Sequence, residues 1–154
     1  MAKTAPAVAI RRGVADDAAA VADVYLTSRR QALPYIPRVA HTDDEVRAWF
    51  ASIVLVQHEV WVALIRDRIA GVMVLRGETL DHLYVRQEHQ RRGVGAQLLA
   101  HAKKQRRVLR LYTFQSNGPA RDFYEKHGFK PIAFGDGATN EEGAPDVLYE
   151  WRLR

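Results

Sequence analysis

A chain of 154 residues, 47% apolar and 27% charged, builds one compact domain; this balance excludes a disordered chain, and the length excludes two ordinary domains. The absence of cysteine excludes disulfides, cysteine-based metal sites and any cysteinyl intermediate. A formal net charge of +5 admits a polyanionic partner, but no nucleic-acid-binding motif accompanies it and no apolar run approaches the ~20 residues that span a bilayer, so neither nucleic acid nor membrane is expected as a partner.

Residues 1–7 read as a short disordered lead to a single domain over 8–154. This lead lacks the long apolar centre of a signal peptide, and Arg11 and Arg12 follow at once, which makes cytoplasmic residence the default expectation. Residues 8–10 predict a first strand, ended by Gly13. Asp16 and Asp17 stand where a helix N-cap and first turn favour carboxylates, and the Ala-rich run to about Arg30 has helical spacing. After Pro34 and Pro37, Thr42-Asp-Asp-Glu45 forms a capping box. Val46, Trp49, Phe50 and Ile53 then recur at i, i+3, i+4 and i+7, predicting a second helix.

Residues 59–65 and 69–75 are rich in β-formers and flank a polar turn, Arg66-Asp67-Arg68, so they predict a hairpin; residues 79–85 add another strand. A Gly-rich loop leads into a helix on which Val94, Leu98, Leu99 and Ala102 share one face. Residues 108–114 read as strand, and 117–127 as a helix stopped by Gly128. Strands at 129–134 and 147–153 close the chain around a polar, Gly-rich loop. The order β-α-α-β-β-β-α-β-α-β-β implies an α/β fold with a mixed sheet.

The loop before the third helix carries the clearest chemistry. Unpaired backbone N–H groups and the helix dipole make a helix N-terminus a site for anions. Gly93 and Gly95 remove the Cβ atoms that would hold a phosphate off the backbone, and Arg91 and Arg92 add positive charge. These two belong to a basic cluster with Arg86, Lys103, Lys104, Arg106 and Arg107, an arrangement suited to a compact phosphorylated ligand. A dinucleotide fingerprint would need a third glycine where Leu98 stands, and a Walker loop would need Gly-Lys-Ser/Thr. The glycines alone are also compatible with a plain strand-to-helix turn.

Gln90-Arg-Arg-Gly-Val-Gly95 and Asn117-Gly-Pro-Ala-Arg-Asp-Phe-Tyr-Glu-Lys-His-Gly-Phe129 together resemble the two signatures of the GNAT N-acetyltransferase superfamily, in the family's order and separation. The likeness covers residues 8–153. It implies a GNAT-like acyl-CoA N-acyltransferase fold, acetyl-CoA as co-substrate, no metal, and direct attack of a primary amine on the thioester in a ternary complex. It places the pyrophosphate on the backbone of Arg91, Arg92, Gly93, Val94, Gly95 and Ala96, beside Gln90. It lays the pantetheine arm along Leu83, Tyr84 and Val85, with Asn117 hydrogen-bonded to that arm. Tyr124 is the implied general acid, a phenol donating to the CoA sulfur, and Phe123 the core residue beside it. No Gly-x-Ser-x-Gly elbow is present, which agrees with direct attack.

The general base is less determined. Some peptide-modifying relatives carry a glutamate five residues before the motif asparagine; here that position is Tyr112. Asp81 and His82 are the leading candidates, followed by Glu78, Glu59, His58 and a water relay. Strand alternation puts Leu80, His82 and Tyr84 on one face and Asp81, Leu83 and Val85 on the other, so only one of Asp81 and His82 is expected to face the substrate. Glu141, Glu142 or Asp146, in the acidic loop, is expected to attract a cationic amine, the alternative being a solvated loop. A small-molecule amine is the first reading of the acceptor. A protein or peptide amine and a non-catalytic acyl-CoA-binding module are the others, and a homodimer is compatible with each.

Overall fold

The computed structural model describes residues 7–154, so the expected N-terminal lead lies outside the described residues except for Ala7. The chain runs through β1 (Val8–Arg12), a 3-10 turn (Ala15–Asp17), α1 (Ala18–Gln31), α2 (Asp43–Trp49), a π-helical stretch (Phe50–Val54) and α3 (Leu55–Gln57). It continues as β2 (Glu59–Ile65), β3 (Arg68–Arg76), β4 (Thr79–Val85), α4 (Val94–Gln105), β5 (Val108–Phe114), α5 (Gly118–Lys126), β6 (Lys130–Gly135) and β7 (Asp146–Arg152). The capping box forms as read: Thr42 Oγ1 accepts from the Glu45 N–H at 3.2 Å, and the Glu45 carboxylate accepts from the Thr42 N–H at 3.1 Å. Asp17 behaves differently from a simple helix cap. Its carboxylate accepts from the Val14 N–H at 2.8 Å and pairs with Arg11 at 2.8 Å, which ties β1 to the start of α1 and holds the acid below its ordinary pKa. No helix among the described residues is long and apolar enough to cross a membrane.

The seven strands form one sheet in the order β1-β2-β3-β4-β5-β7-β6, antiparallel everywhere except between β4 and β5. That parallel pair meets at a single register position, Thr79 opposite Arg110, next to a bond from the Arg110 N–H to the Glu78 carbonyl at 2.9 Å. Beyond it the strands part. The outer edges of β4 and β5 stay paired with β3 and β7, so the sheet is split down its middle while each half remains laddered.

Helices cover both faces. Leu98 and Leu99 of α4 pack with Met73, Leu75, Leu109 and Leu111, while Val21 and Val24 of α1 pack with Phe50, Val54, Val62 and Val72 on the other side. The β3–β4 register shifts once: Val74 lies opposite His82 but Leu75 lies opposite Leu80, leaving Asp81 as the extra residue of a bulge. This corrects the expected alternation. Leu80 packs on the α4 side with Leu83 and Val85, while His82 and Tyr84 face α1 and α2. The insertion breaks the period of two that placed Asp81 and His82 on opposite faces.

The second signature has a packing reason. At the end of α5 the Phe129 N–H donates to the Tyr124 carbonyl at 3.0 Å and the Gly128 N–H to Glu125 at 3.2 Å, with Gly128 at φ 87°. This is a Schellman turn, whose accompanying apolar contact joins Phe129 to Tyr124 at 5.5 Å between ring centres.

Candidate active site

The loop after β4 is fastened at its root. The Arg86 N–H donates to the Ala70 carbonyl at 2.8 Å, and its guanidinium reaches the Ile69 carbonyl at 2.9 Å and Asp23 at 2.8 Å. Gln90 Nε2 then donates back to the Val85 carbonyl at 3.1 Å. Arg91 and Gly93 both take left-handed backbone, φ 64° and 81°, and Gly93 becomes the N-cap of α4. The first bond of that helix runs from the Gln97 N–H to the Gly93 carbonyl, so the N–H groups of Val94, Gly95 and Ala96 have no partner within it.

The basic cluster is narrower than the sequence suggested. Arg86 is bound as above, Lys103 donates to the His127 carbonyl at 2.5 Å, and Arg106 holds the Gly77 carbonyl and Glu59, both at 3.0 Å. Lys104 and Arg107 lie at the far end of α4, about 18 Å along its axis. Arg91 and Arg92, both exposed, are the cations left beside the free N–H groups.

From this loop a cleft of about 370 Å³ follows the split in the sheet, between Leu83–Val85 on β4 and Tyr112–Phe114 on β5, with Gln90 and Asn117 at its loop end. The Asn117 side-chain oxygen caps α5 by accepting from the Ala120 N–H at 3.3 Å, which leaves its amide N–H groups free to donate. Tyr124 is more deeply buried than Phe123, the reverse of the expected ranking: its ring lies in the core at 8% exposure, while half-buried Phe123 packs toward Gly95. Burial, reinforced by the neighbouring Tyr84 phenol, pushes the Tyr124 hydroxyl well above the ordinary tyrosine pKa.

A second cavity, of about 790 Å³, opens on the α1/α2 side and meets the cleft at Arg29, Tyr84, Tyr112 and Phe114, which line both. Asp81 and His82 both line it, because of the bulge. The His82 ring is held among Tyr25 at 5.4 Å, Trp49 at 5.5 Å and Tyr84 at 6.0 Å between centres. Burial there lowers its pKa to about 4, and its Nδ1 has no hydrogen-bond partner among the described residues. Asp81 is ion-paired with Arg76.

The acidic loop contributes unevenly. Glu141 meets His41 Nε2 at 2.9 Å and Glu142 meets Arg29 at 3.3 Å, both at the chamber wall. Asp146 does not line the chamber; it accepts from Asn140 Nδ2 at 3.2 Å and frames the loop. The remaining base candidates are also elsewhere. Glu78 pairs with Arg110 and Glu59 with Arg106 and Trp61, and neither they nor His58 line the chamber. Tyr25, Arg29, His41 and Trp49 were missed by sequence reasoning. The legible signal was Arg29, a charged residue on the helical stripe Ala22, Tyr25, Leu26 that α1 buries. Among the described residues no cluster of His, Asp and Glu has a metal-binding arrangement.

Residues 56–131 match the acetyltransferase (GNAT) domain model. Over 107 residues the chain is 32% identical to the peptidyl-lysine N-acetyltransferase YjaB of Escherichia coli strain K12, an alignment covering 69% of this chain and 68% of that protein. The chain belongs to the GNAT acetyltransferase family. Its identity to the YjaB of Salmonella typhimurium is 34% over 90 residues, which is 58% of this chain and 61% of that relative's length. The solution structure of apo YjaB from Escherichia coli has the same fold, with TM-score 0.78, 24% identity and coverage of 94% and 97% of the two chains. So does the PaiA N-acetyltransferase of Thermoplasma acidophilum in complex with coenzyme A, with TM-score 0.71, 20% identity and coverage of 96% and 99%. Both GNAT signatures fall inside residues 56–131. Helices α1 and α2 and the loop carrying Glu141 and Glu142, which wall the chamber, fall outside.

Proposed function

We propose that this GNAT protein transfers the acetyl group of acetyl-CoA to the primary amine of a small molecule, with the cleft as donor site and the chamber as acceptor site. The reading is carried by the split between β4 and β5, which runs to Gln87 and Gln90 of the loop that leads into α4 and opens sideways into the chamber at Tyr84, Tyr112 and Phe114. The loop fits a pyrophosphate: three unpaired N–H groups converge with Arg91 and Arg92, and Gly93 places no Cβ between them. The β5-facing edge of β4 along Leu83–Val85, which has no strand partner there, suits the amides of a pantetheine arm, and an N–H near Leu83 would polarise the thioester carbonyl.

In this reading the ammonium sits beside Asp81 and His82. His82 is neutral at pH 7 because its pKa is near 4, so its imidazole accepts a hydrogen bond from the amine, while Asp81 draws the proton out of the aromatic wall. The C–N bond forms as the C–S bond breaks; of the two protons the ammonium loses, one ends on the thiolate and one in solvent. Tyr124 does not itself line the cleft but is buried beside Tyr84, which does, and from there its hydroxyl would donate a hydrogen bond to the departing sulfur. Its raised pKa keeps the phenol protonated throughout, above the ordinary thiol value of about 8.5.

A second reading, acetylation of a peptide lysine, draws on what the Escherichia coli and Salmonella relatives are named to do. Thiol release from acetyl-CoA, measured across small amines and lysine peptides, separates the two. Faster release with small amines supports the first, and release with peptides alone overturns it. A thermal shift with acetyl-CoA but no release with any amine leaves only a binding module.

A further inference from the structure

Arg29 is a buried charge at the junction of donor cleft and acceptor chamber. It is 7% exposed and lines both cavities. Burying a guanidinium is costly unless its donors are satisfied. Here it donates to the Pro37 carbonyl at 3.2 Å, to Tyr25 Oη at 3.4 Å and to Glu142 at 3.3 Å, and its Nε has no partner among the described residues. A guanidinium binds a carboxylate best through two parallel N–H bonds of about 2.8 Å. Glu142 gives one long contact instead, from a loop 113 residues further along the chain. The fork is thus only partly used by the carboxylate that reaches it.

The other end of the same wall has the opposite character. The Tyr25 ring centre is 5.8 Å from the Arg29 guanidinium carbon and 5.4 Å from the His82 ring, so the guanidinium and His82 both meet one aromatic side chain, and Asp81 lines the same chamber. A ligand bridging them needs an anionic group at one end and an amine at the other. We propose that the acceptor is an amino carboxylate. Its carboxylate takes the Arg29 fork in place of Glu142, and its amine lies beside Asp81 and His82. Glu142 is then an internal stand-in that keeps Arg29 paired until the substrate carboxylate displaces it. An internal peptide lysine has no carboxylate of its own to offer Arg29. This substrate class rests on the acetyltransferase reading above.

The test compares free amino acids with their methyl esters. Wild-type protein is expected to favour the acid at least about tenfold in kcat/KM, since truncating a buried charge-paired contact removes a factor of that size or more. Glu142→Gln, which removes the competing carboxylate but keeps the side chain's shape, is expected to lower KM for the acid several-fold and leave that for the ester unchanged. Arg29→Gln is expected to bring the acid down to the ester's level; if that variant does not fold, Glu142→Gln decides alone. Calorimetric titration of the same acid and ester into CoA-saturated protein repeats the comparison without turnover. Acid-selective binding without acetylation would sink the acetyltransferase reading and keep only the carboxylate contact at Arg29. Equal handling of acid and ester, or a Glu142→Gln change that weakens both, overturns the amino-carboxylate assignment even if amines are acetylated.

Discussion

The Tyr124 ring closes the end of α5 against Phe129, while its hydroxyl is the only part that a phenylalanine would remove. Packing and chemistry therefore separate cleanly there. Tyr124→Phe is expected to lower kcat by on the order of 10²-fold, the low end for a lost hydrogen-bond donor to developing charge, with acetyl-CoA affinity and thermal midpoint unchanged. An unchanged kcat removes the hydroxyl from the reaction. His82 offers a pH signature. Its folded pKa, near 4, lies below the ordinary 6.5, so on acidification the unfolded chain takes up a proton first. The stability this neutral histidine brings is present above pH 6.5 and is lost as the pH falls toward 4. The loss is on the order of 3 kcal/mol. His82→Phe keeps an aromatic side chain among Tyr25, Trp49 and Tyr84 but cannot titrate, so its urea stability should fall less than the wild type's between pH 7 and pH 4. Parallel declines would contradict the burial of a neutral imidazole.

At the scale of elements, Asn117 combines a cap with a candidate ligand contact. Asn117→Ala loses the bond to Ala120 and is expected to cost about 1 kcal/mol of stability. Asn117→Asp keeps a capping oxygen but loses the amide donors, so it should bind acetyl-CoA less tightly at nearly unchanged stability; tight binding by the Asp variant would leave Asn117 a cap only. Most elements were legible because their signals are local: the Thr42–Glu45 box, the two-residue Arg66-Asp67 turn at positive φ, and the stop at Gly128. What failed was the inference from strand alternation on β4. One extra residue, Asp81, reverses the facing of everything before it, and no local residue type marks a bulge as Gly marks a turn. The same bulge brings both base candidates to one cavity.

At the scale of the whole molecule, the proposed donor and acceptor halves differ in how the chain encodes them. The donor cleft is built from contiguous stretches, β4 with its loop and the start of α5, so two short signatures describe it. The chamber is assembled from Tyr25 and Arg29 on α1, His41 and Trp49 around α2, and Glu141 and Glu142 some hundred residues later. No local spacing relates them. Their charges also answer one another: Glu141 is met by His41 and Glu142 by Arg29, and the hydrogen bond that Glu141 accepts from His41, with its charge, holds His41 above the ordinary histidine pKa. A loop that reads as bare acid in the sequence is thus largely paired in the fold. Asp146, the third carboxylate expected to attract substrate, is spent on Asn140.

Two cavities that meet at Tyr84, Tyr112 and Phe114 allow both substrates to be bound before any bond changes, and the chain has no cysteine to carry an acyl group between them. Initial rates of thiol release, with acetyl-CoA varied at several fixed amine concentrations and the acetylated amine counted against the thiol, examine this directly. Double-reciprocal lines that intersect, with one acetylated amine per thiol, are the expected result. Parallel lines, which signal a covalent acyl-enzyme, or thiol release indifferent to amine, would contradict it.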